Sequence, residues 1–250
     1  MRTLALALLA GLAVAWVAPP AAAQQAPQPQ LPQAEVERMV REYLLREPDV
    51  VYQALTELQR RQEVAQVETR RKLVAEHRET IFAAKGDAVG GDPQGDVTLV
   101  EFFDYRCGYC RTMAQGLRSL IGQDPKLRFV FKEMPILSPE STIAAKAAMA
   151  AAKQGKYAEL HFALMQAKEL DAASIMELAR KNGLDPQRLA ADMEDPATAA
   201  KIEENLRLAQ TLGIDGTPSF VVGDQVIPGA TEVARLAEMI GNERKKVRAN

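Results

Sequence analysis

Cysteine is nearly absent from this chain, with two among 250 residues. That excludes a disulfide-stapled scaffold. Histidine is as scarce, with only His77 and His161, and neither has zinc-finger spacing to the one Cys-x2-Cys pair, which supplies two ligands and no more. The nine methionines show no ligand-like spacing and read as core filler. No excess of one charge exists either: 31 basic residues face 33 acidic ones. Nothing in that balance suggests nucleic acid or a strongly anionic surface as partner. Glycine is missing from residues 33–84, where Pro48 is the only proline, so that stretch has few breaks and reads as helix.

The first 23 residues read as an export signal. Arg2 precedes an apolar run over residues 4–17, and small residues end at Ala21-Ala22-Ala23, an A-x-A cleavage pattern. The run is short and soon followed by Pro19-Pro20, so a membrane span is the weaker reading. The mature protein is then expected in an exported compartment, the periplasm, where disulfides form. Residues 24–32, rich in Gln and Pro, form a flexible leader.

Residues 33–84 form the second informative region. Val36, Met39, Val40, Tyr43 and Leu44 give one amphipathic helix, broken at Glu47-Pro48-Asp49. A second helix is expected over residues 50–82, with Val51, Leu55 and Leu58 and then Val64, Val67, Val74 and Ile81 on a thin seam interrupted by Arg71 and Arg78. So thin a seam buries little against a globular core. The expectation is a stalk over residues 24–85 that self-associates into a homo-oligomer through residues 33–82. A helix folded back on its own domain is the alternative. Residues 85–96 carry four glycines and Pro93 and form a hinge or lead-in loop.

The chemistry concentrates at Val97-Thr98-Leu99-Val100-Glu101-Phe102-Phe103-Asp104-Tyr105-Arg106-Cys107-Gly108-Tyr109-Cys110. Val97 to Phe103 reads as a buried strand. From Arg111 onward, Met113, Leu117, Leu120 and Ile121 recur at helical spacing. Cys107 therefore falls at a helix N-terminus, where free backbone N–H groups and the helix dipole favour a thiolate. Cys110 lies about one turn on, in reach of a small disulfide ring. A thiol that attacks and a second that resolves are the apparatus of thiol–disulfide exchange. Glu101 shares a strand face with Val97, Leu99 and Phe103, which predicts a desolvated carboxyl with a raised pKa, able to move a proton to or from Cys110. A solvent-facing edge glutamate is the alternative. Lys132 either pairs with that carboxylate or is solvated, and His161 reads as a surface or half-buried helix residue.

Further along, residues 127–131 form a second strand, and residues 139–211 read as four or five helices, with Ser138-Pro139 and Asp195-Pro196 as helix starts. Residues 219–222 and 225–227 pair across Gly223-Asp224, and Thr231 caps a last helix. The order β-α-β, helical block, β-β-α predicts an α/β core over residues 86–250, with a helical insertion at about 139–211 acting as a lid.

Three motifs, Glu-Phe-Phe-Asp-Tyr-x-Cys-x-x-Cys, Phe-Lys-Glu-Met-Pro-Ile-Leu-x-Pro-Glu-Ser and Gly-Thr-Pro-Ser-Phe, resemble the DsbA-like thioredoxin-fold family. They resemble most its exported branch with an N-terminal helical extension, which includes the suppressor-of-copper-sensitivity C proteins. The likeness covers roughly residues 89–240. It implies a thioredoxin fold with an inserted helical domain, Cys107 as nucleophile and Cys110 as resolving thiol. Pro218 is implied as a cis-proline facing the pair, with the Thr217 backbone holding an extended substrate beside Gly108 and Tyr109. It also implies cysteine-containing protein substrates and a membrane electron donor. No cofactor or metal is expected.

Where strongly oxidising members carry Pro-His between the cysteines, this chain has Gly108-Tyr109. Losing the histidine removes a cationic partner of the thiolate and predicts a less oxidising disulfide. An exported disulfide isomerase or reductase is the expected function if the stalk gathers several active sites. A monomeric dithiol oxidase and a periplasmic Cu(I)-binding thiol protein conferring copper tolerance are the alternatives, with a holdase as a third.

Overall fold

The computed structural model describes residues 31–249. The expected signal peptide and most of the leader lie outside the described residues. Two compact units emerge, one ending at Glu57 and one beginning at Leu58.

The first unit is helical. Helix α1 spans Gln33–Arg46 and stops where Glu47 leaves helical geometry (φ −121°, ψ 66°), its N–H donating to Tyr43 O. Pro48 follows, and α2 begins at Asp49 and runs to Glu76. No residue of α1 is buried. Val36, Met39, Val40, Tyr43 and Leu44, together with Val51 and Leu55 of α2, are all exposed.

The second unit carries the sheet. The expected long helix breaks at His77 (φ −102°, ψ 20°), and a short α3 (Arg78–Phe82) follows. Val74 and Ile81 are then buried at 1% and 0% exposure, packed with Val100, Phe102, Val130 and Val221. The seam here covers one face of the sheet in this same unit.

Strand β1 (Ala88–Gly91) is followed by β2 (Val97–Phe103), α4 (Gly108–Gln123) and β3 (Leu127–Glu133). Five helices come next: α5 (Pro139–Ala152), α6 (Tyr157–Gln166), α7 (Ala172–Lys181), α8 (Pro186–Met193) and α9 (Pro196–Thr211). The chain closes with β4 (Ser219–Val222), β5 (Gln225–Pro228) and α10 (Val233–Ala249). The sheet order is β1-β3-β2-β4-β5. β2 and β3 are parallel, joined through α4, and the other pairs are antiparallel.

β1 was not expected as a strand, because two of its four residues are glycines and the signal is that of a loop. Its glycines allow a close approach to β3: a Cβ on Gly91 (φ +69°) would collide with the carbonyl oxygen of Leu127. Several helix starts follow the sequence rule. Ser138 accepts from Ser141 N, and Asp195 accepts from Ala197 N, each with proline in the first turn. Such caps are worth about 1 kcal/mol each.

Alternation along β2 separates two cores. Val97, Leu99 and Phe103 face α4, α6 and α10 on one side, and Val100 and Phe102 face the other. Glu101 is on the first side, in the layer that α4 covers.

Candidate active site

β2 delivers the chain to the reactive pair. After Phe103, residues 104–106 turn the backbone, and Cys107 takes extended geometry (φ −70°, ψ 116°) as the N-cap of α4. Its sulfur accepts from Cys110 N at 3.5 Å, as an N-cap side chain does. The Cys107 thiol donates to Thr217 O at 3.1 Å. Thr217–Pro218 is a cis peptide. Residues 110 positions apart in sequence thus meet at one sulfur. Cys107 retains 6% exposure and Cys110 none. Both thiols are free.

Glu101 is 2% exposed, and its Oε1 has no hydrogen-bond partner. Burial, with a smaller contribution from Cys107, pushes its pKa up to about 8. The Cys110 thiol is raised as well, first by burial and then by the charge of Glu101, while the Asp104 backbone N–H pulls the other way. Gly108 and Tyr109 form the first turn of α4. Tyr109 is 69% exposed, and nothing lies within 4 Å of a Cβ placed on Gly108. Cys107, Cys110, Glu101, Thr217, Pro218, Gly108 and Tyr109 are therefore brought to one end of the sheet.

Two expectations require correction. Lys132 neither pairs with Glu101 nor meets solvent: it is fully buried, with Nζ 2.5 Å from Asp87 Oδ2 and 2.8 Å from Thr80 O. Register explains this. Glu101 sits opposite Phe131 and Phe102 opposite Lys132, so Lys132 points to the other face of the sheet. Asp87 is shared with Lys201 at 2.8 Å. His161 is not near the surface either. It is 1% exposed, stacked on Tyr157 at 5.6 Å, with Nδ1 3.0 Å from Tyr105 OH. Burial lowers its pKa to about 3 and keeps it neutral.

Sequence reasoning missed Glu133 and Asp104. The Oε1 of Glu133 accepts from Tyr157 OH at 2.7 Å and Tyr105 OH at 3.1 Å, and burial holds its pKa well above the ordinary range. Asp104 is 1% exposed and anchors the turn before Cys107. The one available signal was an Asp placed two residues before the N–H it accepts, an Asx turn.

A mixed sheet that ends a strand at Cys-x-x-Cys, caps a helix with the first sulfur and faces it with a cis-proline loop defines a thioredoxin-fold disulfide oxidoreductase. Residues 98–241 match the family model of the DSBA-like thioredoxin domain, and the chain belongs to that family. Residues 33–65 match the copper resistance protein ScsC N-terminal domain. Among solved structures, a thioredoxin-like oxidoreductase from Silicibacter pomeroyi DSS-3 is 44% identical with a TM-score of 0.65, covering 67% of this chain and 98% of its own. A linker-deletion mutant of Proteus mirabilis ScsC is 26% identical with a TM-score of 0.68, covering 90% and 99%. A curated relative, the Na(+)/H(+) antiporter NhaA of Herminiimonas arsenicoxydans, is 31% identical over 166 residues, 65% of this chain. The chain spans only 26% of the length of that antiporter.

Proposed function

We propose that this chain is an exported thiol–disulfide isomerase or reductase acting on cysteine-containing proteins of the cell envelope. The observation that carries the reading is the Cys107 sulfur, placed at the N-terminus of α4, slightly exposed, and bonded to the Thr217 carbonyl. In this reading Cys107 attacks a substrate disulfide. One substrate sulfur becomes bonded to Cys107 and the other leaves as a thiol. Cys110, after passing its proton to the Glu101 carboxylate, attacks the Cys107 side of the mixed disulfide and releases the reduced substrate. An extended substrate segment takes the place of the Cys107 thiol at Thr217 O, beside Pro218 and the open rim of Gly108 and Tyr109. When isomerisation is the outcome, the substrate's own thiol releases Cys107 and the pair stays reduced. After a reduction, a membrane thiol–disulfide donor restores the dithiol.

The exposed apolar stripe of α1 and the start of α2 supports self-association. The match to the ScsC N-terminal domain over residues 33–65 supports both that reading and an exported, periplasmic location. Several tethered active sites raise the local thiol concentration around one misfolded substrate, which favours isomerisation. The test is refolding of a scrambled-disulfide substrate by wild type and by a Val40→Asp/Leu44→Asp variant, with mass in solution measured for both. The proposal expects an oligomer with isomerase activity and a monomeric variant that loses most of it per active site. A monomeric wild type without isomerase activity points instead to a dithiol oxidase. Two soft thiols three residues apart also suit Cu(I), and copper titration of the reduced protein against Cys107→Ser tests that second reading.

A further inference from the structure

The carboxylate of Asp104 gathers four donors although it lies within the protein. Oδ1 accepts from Arg106 N at 2.7 Å and from Ser141 Oγ at 2.7 Å. Oδ2 accepts from Ile136 N at 2.8 Å and from Leu137 N at 3.0 Å. The Asp104 carbonyl takes the N–H of Cys107 at 3.1 Å. One residue thus ties the turn before the nucleophile to the loop after β3 and to the start of α5. A buried carboxylate is stabilised by such a set, and its neutral backbone donors would be costly to leave unpaired.

The loop it holds has an unusual surface. Beyond residue 100, the large apolar side chains that remain exposed among the described residues are Tyr109, Ile136, Leu137 and Val247. Ile136 is 43% and Leu137 54% exposed. Tyr109 is on the first turn of α4, while Ile136 and Leu137 are one carboxylate away from the turn that ends at Cys107. Apolar surface concentrated beside a sulfur that must bond to another polypeptide fits an apolar stretch of that polypeptide.

We propose that Ile136 and Leu137 are specificity determinants, contacting an apolar segment that flanks the substrate's cysteine, and that Asp104 is the positioning residue that keeps them there. The assignment rests on exchange with protein disulfides and is independent of the isomerase reading.

The test compares kinetics on insulin with kinetics on glutathione disulfide. Ile136→Ser/Leu137→Ser changes only exposed side chains, and folding is at little risk. It raises KM for insulin about tenfold with kcat within about twofold, the size of one lost apolar contact, and changes the glutathione disulfide reaction by much less. Asp104→Ala slows both substrates, because the turn before Cys107 loses its Arg106 N–H anchor, and on top of that raises the insulin KM about tenfold, because Ile136 and Leu137 lose theirs. Asp104→Asn gives a smaller split, because its amide oxygen can still accept from Ile136 N and Leu137 N, while its NH2 can donate to the Ser141 hydroxyl and leaves only the Arg106 N–H unpaired. An unchanged insulin KM in the double serine variant overturns the assignment. So does proportional loss on both substrates in Asp104→Ala and Asp104→Asn, which makes Asp104 merely structural. A protein that shows the split on insulin yet fails to refold a scrambled substrate upholds this assignment and removes the isomerase reading.

Discussion

Replacing Glu101 by Gln tests the site through its protons. An ordinary glutamate releases its proton near 4.5, and Glu101 keeps it to about 8. Between those values the folded state binds more protons than the unfolded state. Stability from this residue is therefore intact below pH 4.5, falls as pH rises, and levels off above about 8. Each unit of pKa difference corresponds to about 1.4 kcal/mol, which puts the penalty at pH 7 at about 3 kcal/mol. Glutamine has nearly the same shape and no proton to lose. It carries a constant cost for a buried amide, but not the slope. Urea unfolding of the reduced proteins from pH 5 to pH 8 isolates the effect, because Glu133 and Cys110 contribute to both curves. Glu101→Gln gains on wild type by about 3 kcal/mol across that range. Parallel stability curves would refute the argument, since they mean that Glu101 titrates like an exposed side chain. The same variant removes the proposed base. At pH 7 about one wild-type molecule in ten carries the carboxylate, so resolution of the mixed disulfide accelerates toward pH 8 in wild type. In Glu101→Gln it is slower by about a hundredfold and loses that acceleration.

Three other outcomes are expected. Cys110→Ser accumulates a covalent Cys107 adduct with a protein disulfide, visible on non-reducing gels, whereas Cys107→Ser gives none; an adduct in Cys107→Ser would reassign the nucleophile. Gly108→Pro/Tyr109→His shifts equilibrium with glutathione at least tenfold toward the dithiol, about 30 mV, and no shift would remove the argument from the missing histidine. Lys132→Met lowers unfolding free energy by about 3 kcal/mol, because Asp87 loses one of its two buried cationic partners. Exchange rates per active site stay near wild type, since Lys132 faces away from Glu101.

What could be read in advance divides by how local its cause is. The boundaries of β2 and the helix start at Cys107 follow from an apolar run and a cap within a few residues of one another. The Glu101 environment follows from strand alternation alone. β1 escaped because its edge pairing depends on glycines that β3 presses against, and a short glycine-rich run has no strand period. Lys132 reads as the end of its strand and lies near the end of β3, but its partner is Asp87, 45 positions earlier. Only the register of β2 against β3 tells that it faces away from Glu101. His161 looked peripheral because a histidine on a helix carries no mark of the ring cluster around it; Phe103 and Phe131 approach from strands far away in sequence. Asp104 belongs to the Glu101–Cys110 motif, yet three of its donors arrive from residues 136, 137 and 141.

The complete burial of Cys110 has a consequence for chemical damage. A peroxide arriving from outside finds one sulfur and not two. The sulfenic acid it forms on Cys107 has a thiol three residues away with which to condense, expelling water and closing the ring before the irreversible acids form. An oxidative hit is thereby converted into an ordinary state of the cycle, from which a reductant can return the protein unharmed.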